Sequence, residues 1–229
     1  RKRGSSVVSL DFDPSTGGLL RTLVNPTPAA DDRFGISVAA AGGVVVVGAY
    51  LDDDSGAVDA GAAYVFDAAS GSLVWTLDNP TPDANDYFGL SVAPPGGLVV
   101  VGAYGDDTGA TDAGAAYVFD VSTGALLRTL PNPEPSDGDF FGTSVAVAGN
   151  RAVVGADFDD AGAADGGSAY VFDVTTGALV RTLAKPDASE GDRFGLSVGA
   201  AGTLAVVGAH LDDVGAGDTG SAHVFDVSD

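Results

Sequence analysis

The chain has no cysteine and no methionine, two histidines, one tryptophan and only ten basic residues among 229. Each shortage excludes a class of chemistry. Without Cys there is no disulfide, no thiolate nucleophile and no Cys-ligated zinc. With only His210 and His223, a transition metal that prefers imidazole finds few ligands. The bases are Lys2, Lys185 and eight Arg, too few for a basic face, so nucleic-acid phosphate is repelled and no nucleic-acid partner is expected. No apolar run approaches the roughly 18 residues of a membrane helix, so no membrane insertion is expected. The chain opens on Arg1 and shows no signal peptide, which reads as a mature or trimmed chain.

What is present is Asp and Gly. Acids number 32, for a net charge of −22, and all but Glu134 and Glu190 are Asp. Glycine contributes 34 residues. Hydrophobic residues at 45% argue for a folded core despite the charge. The length suits one large all-β domain or two small ones. A high-Asp, low-Lys balance has two physical readings: a halophile-like solvated surface, or calcium, a hard cation that takes carboxylate and carbonyl oxygens.

An internal repeat organises the chain. Phe-Gly recurs at Phe34-Gly35, Phe88-Gly89, Phe141-Gly142 and Phe194-Gly195. Each is followed by x-Ser-Val, at Ser37-Val38, Ser91-Val92, Ser144-Val145 and Ser197-Val198. A Val-Val-Gly-Ala run then ends at Ala49, Ala103, Ala156 and Ala209, and a Tyr/His-Val-Phe-Asp run at Asp67, Asp120, Asp173 and Asp226. Thr-Leu closes the order at Thr22-Leu23, Thr76-Leu77, Thr129-Leu130 and Thr182-Leu183. Each unit reads as four short strands, A (FGxSV), B (VVVVGA), C (AAYVF) and D (LVWTL or LLRTL), β-branched and aromatic between Gly, Pro, Asp and Asn clusters. Strand B is a near-continuous apolar run, which suits burial on both faces. Strand D alternates and carries Arg21, Arg128 and Arg181, which suits an outer edge. Four-stranded units of this length predict an all-β fold, a β-propeller of about four blades; a β-sandwich or a solenoid is the structural alternative.

The FG start followed by a GA-containing second strand resembles the FG-GAP repeat, the blade unit of integrin α-subunit propellers and of many bacterial extracellular proteins. The resemblance runs from about Ser5 to the C-terminus and is specific for the repeat, not for a function. It implies a propeller at the cell surface or outside the cell, with calcium in its loops. The chain departs from the family in three ways. Tyr50, Tyr104, Asp157 and His210 stand where the family usually has Pro after Gly-Ala. The chain has about four blades where family propellers commonly have seven. The family's DxDxDG calcium pattern is not reproduced.

The units divide as a C–D half blade at 1–30, blades at 31–83, 84–136 and 137–189, and a partial A–B–C blade at 190–229. Ser9–Gly17 aligns without gaps on Ala169–Gly177, so the N-terminus supplies a C-like strand before its D strand at Leu19 to Leu23. The N-terminal D strand could complete the last blade and close the ring by strand exchange. The ends could instead join head to tail into a homo-oligomer or filament, since unpaired edges are templates for pairing. A piece of a longer array is the third arrangement.

The Asp residues cluster. One set follows strand B: Asp52, Asp53 and Asp59; Asp106, Asp107 and Asp112; Asp159, Asp160 and Asp165; Asp212, Asp213 and Asp218. A second set, Asp32, Asp86, Asp139 and Asp192, lies two residues before each Phe. Strand A runs antiparallel to B, so both sets fall at one end of each blade, within reach of each other. Carboxylates and glycine-exposed carbonyls converging on one loop fit Ca²⁺, which takes six to eight oxygens; magnesium favours fewer protein ligands. The competing reading is Asp and Gly as turn formers and solubilising charge.

The repeated Phe positions, and Tyr64, Tyr117, Tyr170 and His223, read as inter-blade core. Trp75 stands where other units carry Arg. Asn25 to Pro28, Asn79 to Pro82 and Asn132 to Pro135 read as rigid D-to-A connectors. No Ser-His-Asp set or phosphate-cradling loop is present, so no catalytic residue is assigned. The expected function is a non-enzymatic, calcium-stabilised extracellular structural or adhesion module, self-assembling through its ends. A glycan- or protein-binding propeller of a larger secreted protein is the alternative.

Overall fold

Every regular element of the computed structural model is a β-strand, and the residues it describes are 7–12 and 18–228. The strands fall into five antiparallel sheets. β1 (Val7–Phe12) and β2 (Leu19–Val24) form a hairpin. β3 (Ser37–Ala41), β4 (Val44–Ala49), β5 (Ala62–Asp67) and β6 (Leu73–Asp78) form the first full blade. β7 (Ser91–Ala93), β8 (Leu98–Ala103), β9 (Ala115–Asp120) and β10 (Leu126–Pro131) form the second. β11 (Ser144–Ala148), β12 (Arg151–Ala156), β13 (Ser168–Asp173) and β14 (Leu179–Ala184) form the third. β15 (Phe194–Ala201), β16 (Leu204–Ala209) and β17 (Ser221–Asp226) form a three-stranded last blade.

The meander follows from sequence. Short β-branched strands joined by Gly-containing turns pair with their neighbours, and the second and third strands are buried on both faces, as at Val45, Val46 and Val47. Such two-sided burial needs a sheet on either side. Blades supply it by stacking. One face of a blade presents Val46, Ala63, Val65 and Leu77; the next blade answers with Phe88, Val99, Val101, Tyr117 and Phe119. The same match recurs between the second and third blades and between the third and last. Phe88, Phe141 and Phe194 are each fully buried at these joints. Burying one such ring stabilises the fold by about 1.5–3 kcal/mol.

Backbone also crosses the joints. Phe88, Phe141 and Phe194 donate their N–H to Ala60, Ala113 and Gly166 of the preceding blade, each at 3.0 Å. The FG carbonyls of Gly89, Gly142 and Gly195 accept from Ser37, Ser91 and Ser144, each at 2.7 Å. On the outer rim, Arg21 Nη1 donates to Ser70 O, Arg128 Nη2 to Thr175 O and Arg181 Nη1 to Asp226 O, at 2.7, 3.0 and 2.7 Å. Trp75 does the same work as these arginines: its Nε1 donates to Val121 O at 2.7 Å. The starts of the four first strands line a shallow, open hollow of about 450 Å³ that includes the serines Ser37, Ser91, Ser144 and Ser197.

The ends do not close the ring by strand exchange among the described residues. β2 pairs with β1, and β17 pairs only with β16. The outer face of the last blade is consequently bare. Val206 and Val224, at the positions of the fully buried Val46 and Val65, are 40% and 63% exposed.

Candidate metal sites between the blades

At one end of each joint the structure brings the two Asp sets together. Asp32 lies with Asp52, Asp86 with Asp106 and Asp139 with Asp159, close enough for each pair to repel, and Asp192 lies with Asp212. All eight side chains are buried. The antiparallel pairing of strands A and B dictates this, because the end of β8 lies beside the start of β7.

The donors around each pair repeat. Asn25, Asn79 and Asn132 give Nδ2 to the Oδ2 of the Asp seven residues on, at 2.6, 2.6 and 2.8 Å. A backbone N–H three residues before that Asp, from Ala29, Asp83 or Ser136, donates to the same oxygen at 2.6–2.7 Å. The post-B Asp accepts a buried tyrosine hydroxyl on Oδ2: Tyr64 to Asp52 at 2.6 Å, with Tyr117 to Asp106 and Tyr170 to Asp159 alike. Its Oδ1 takes a backbone N–H two residues on, from Asp54, Thr108 or Ala161, at 2.9, 2.8 and 2.7 Å. Among the described residues, the hydrogen bonds to the Asp86 carboxylate end on Oδ2.

The second pair opens onto a cleft of about 200 Å³ lined by Thr81, Asp83, Asp86, Asp106, Asp107 and Thr108, all oxygen-bearing. Burial, chiefly, and the neighbouring Asp106 push the Asp86 carboxyl up to about 6, outweighing its hydrogen bonds. Burial raises Asp52 and Asp139 as well. Two carboxylates held together out of water are costly unless a proton or a cation intervenes.

The fourth pair contains that cation. Lys185 occupies the position of Asn25, Asn79 and Asn132, and its Nζ lies 3.1 Å from Asp192 Oδ2 and 3.1 Å from Asp212 Oδ1. It also donates to Asp187 O at 2.7 Å. Burial pulls the ammonium down, but the two carboxylates more than offset this and hold it above its ordinary range. Asp212 is driven up by burial and brought below its usual range by Ser221 and Lys185. Here His223 replaces the tyrosine, and Ser221 Oγ supplies the hydroxyl to Asp212.

The other eight candidate Asp residues serve their own loops. Oδ1 of Asp53, Asp107, Asp160 and Asp213 accepts the N–H of Asp59, Asp112, Asp165 and Asp218, at 2.7, 2.8, 2.8 and 2.8 Å. Those four acceptor carboxylates are exposed. Asp59, Asp112, Asp165 and Asp218 sit at φ of 54°, 51°, 50° and 55°. That left-handed region disfavours most side chains and is eased for Asp by local hydrogen bonding. Their recurrence therefore has a backbone cause. Among the described residues no group of three or more His, Asp or Glu side chains is arranged to hold a metal ion. Each pair offers two carboxylates, with hydroxyl, carbonyl and water oxygens left to complete a shell.

The recurrent Asn and Tyr partners escape a reading that takes them as connector and core. The signal for the Asn was present: Asn25, Asn79, Asn132 and Lys185 all precede the pre-A Asp by seven residues. An aromatic row crosses the same end of the molecule. Tyr50, Tyr87, Tyr104, Phe140 and Phe158 follow one another at centroid spacings of 5.8, 4.8, 5.4 and 5.0 Å. A cleft of about 510 Å³ lies against Tyr87, Tyr104 and Phe140.

The FG-GAP repeat model matches residues 21–66, 81–119, 130–172 and 179–225, one match at each joint from the first full blade to the last. The chain belongs to the FG-GAP repeat family. FG-GAP repeats are typical of extracellular and cell-surface proteins, and each match in this chain ends within a third strand. No curated protein matches the chain. Among solved structures it is similar to the computationally designed Ika8 protein, with a TM-score of 0.55 and 18% identity over 90% of this chain. The chain spans 51% of that protein's length, and the likeness speaks of the fold alone.

Proposed function

We propose that this FG-GAP chain is a non-enzymatic structural or adhesion module of the cell surface or extracellular matrix, stabilised by calcium and assembling through its end blades. The observation that carries the reading is the bare outer face of the last blade. Leu204, Val206 and Val224 are exposed there, while the equivalent valines are sealed at every internal joint. An apolar sheet face of this kind is a contact surface. The occupant that suits it is the N-terminal β1–β2 hairpin of a second copy. At the other end of the molecule that hairpin already packs Leu23 against the first full blade, so it has the chemistry of a blade cap. Repeated head to tail, the contact does not close on itself and builds a filament.

Calcium enters through the buried Asp pairs, whose donor set of carboxylate and hydroxyl oxygens suits a hard cation and offers nothing to a soft one. Sedimentation and electron microscopy of the purified chain in calcium test the assembly. A concentration-dependent ladder or filament, lost on deletion of residues 1–13 while the remaining fold persists, supports it. A single monomeric species at all concentrations overturns it. The aromatic row and its cleft favour a second reading, a glycan-binding module, since sugar rings pack on aromatic faces. Glycan-array binding that is lost in Tyr87→Ala, with assembly absent, would favour that reading.

A further inference from the structure

The fourth joint departs from the other three at three places that meet. Lys185 replaces Asn25, Asn79 and Asn132; His223 replaces Tyr64, Tyr117 and Tyr170; and Ser221 brings its hydroxyl to Asp212 where the other joints use the tyrosine's. The result is an amine between two carboxyls, with the side chains of Lys185, Asp192 and Asp212 only 3%, 2% and 3% exposed. We infer that this trio is a self-modification site, in which Lys185 Nζ condenses with the Asp212 carboxyl to form an intramolecular amide cross-link and Asp192 carries the protons.

The geometry divides the roles. Nζ lies 3.1 Å from Asp212 Oδ1, so the adjoining Cγ is within reach of a held nucleophile. Asp212 Oδ2, the other oxygen, accepts the Ser221 hydroxyl. That donor stands where negative charge develops as the amine adds to Cγ. Asp192 Oδ2 is also 3.1 Å from Nζ, and the same oxygen accepts the N–H of Ser189 at 2.6 Å. Both contacts fall on one oxygen, which suits a proton carrier rather than the acyl group.

The step balances without a co-reactant. An ammonium cannot attack, so one proton first passes from Nζ to Asp212 Oδ1. As Nζ adds to Cγ, Asp192 Oδ2 takes a second proton and hands it to Oδ1. The Cγ–Oδ1 bond breaks, and Oδ1 leaves as water with both protons. Oδ2 becomes the amide oxygen and keeps its bond from Ser221. Nothing is oxidised or reduced, and Asp192 ends as it began. The ion pair is the resting state, but the reaction is needed once per molecule, so the neutral pair has only to be visited. Burial helps twice: charges are costly out of water, and little water is at hand to reverse the amide. In the other three joints an Asn stands in place of the amine. The link ties the connector before the last blade to the loop after that blade's second strand, in the blade whose outer face is bare.

Tryptic mapping of the full-length chain, held folded for several days at pH 7.5 and then denatured, tests the link. Cleavage after Arg181 and Arg193 puts Lys185 and Asp192 in residues 182–193 and Asp212 in residues 194–229. The expected product is these two peptides joined, lighter than their sum by one water, with tandem mass spectrometry placing the bridge between Lys185 and Asp212. Lys185→Arg, which keeps the positive charge, and Asp192→Asn, each checked for folding by circular dichroism, should release the two peptides separately. The wild-type map needs no variant, so it decides the matter even if neither variant folds. Separate wild-type peptides at full mass overturn the inference. So does a water lost within 182–193 alone, which puts the link at Asp192. Folded Asp192→Asn that links as completely as the wild type overturns the proton-carrying role.

Discussion

Gly102→Ala should be among the most damaging single-methyl changes in the molecule, and Gly208→Ala, at the same place in the last blade, should not. A Cβ built on Gly102 would lie 2.0 Å from the carbonyl oxygen of Gly142 on the next blade and 2.4 Å from Ser91 Oγ. Real Cβ atoms essentially never come within 3.0 Å of another heavy atom, so the FG backbone must retreat by at least about 1 Å. Both atoms belong to or hang from main chain in a packed joint, which places the cost near the upper end of overpacking, about 3 kcal/mol. The hydrogen bond from Ser91 Oγ to Gly142 O is lost with it, adding about 1 kcal/mol. For a chain of this size each kcal/mol moves Tm by about 2–4 °C, so Tm falls by roughly 8–16 °C. At Gly208 the Cβ meets only the hydroxyl of Ser197, at 2.5 Å, with no FG carbonyl across from it, and that hydroxyl can rotate away. The expected fall there is at most about 4 °C. The proposed N-terminal hairpin of a second copy carries no FG segment, so assembly does not change this expectation. Thermal melts followed by circular dichroism on both variants suffice. Equal losses, or a larger loss in Gly208→Ala, would refute the bare last face; a fall below about 4 °C in Gly102→Ala would refute the close blade stacking.

Two further outcomes follow from the buried pairs. Tyr117→Phe removes one of the two hydroxyls that Asp106 Oδ2 accepts, leaving Thr81 Oγ1 at 3.2 Å; losing a hydrogen bond to a charged group costs about 1.5–3 kcal/mol and should lower Tm by roughly 3–12 °C, and an unchanged Tm would deny that bond any weight. In chelator, stability should fall as pH rises from about 4 to about 6 and stay low above that. Asp86 binds its proton more tightly folded, at about 6, than an ordinary Asp carboxylate does at 3.8, and Asp52 and Asp139 shift the same way. Saturating calcium should flatten this slope, because the ion replaces the proton. A chelated protein whose Tm rises across that window would contradict the assignment.

The blades were legible because their signals repeat. Landmarks such as Phe88-Gly89 and Val101-Gly102-Ala103 recur in constant order, so strand type, register and stacking reinforce one another across copies. The approach of the two Asp sets was legible for the same reason, since an antiparallel A–B pair leaves no other place for their ends. Asn79 was hidden because its Pro-flanked segment reads as a connector, and only the fold turns its amide inward onto Asp86. Asp53 and Asp59 carry a mark that backbone necessity and metal binding share in sequence, an acid at a fixed offset; the N–H of Asp59 on Asp53 Oδ1 and the left-handed φ of Asp59 appear only with the chain folded. The ends were ambiguous because β2 could pair equally well with its neighbour in sequence or with a distant edge; the local hairpin, with the smaller loop to close, is the pairing found.

The most direct test of the whole account is the melting temperature of the wild-type chain at pH 7.5 in calcium against chelator, with ionic strength matched by NaCl. An ion at 100 times its Kd contributes about 2.7 kcal/mol per site, so even one occupied pair should raise Tm by roughly 5–11 °C, and three by more. A rise of this size with calcium and not with matched NaCl is the predicted result. Superimposable melts, or an equal rise from NaCl alone, would mean that the buried carboxylates are neutralised by protons and screening, and that no cation holds these blades together.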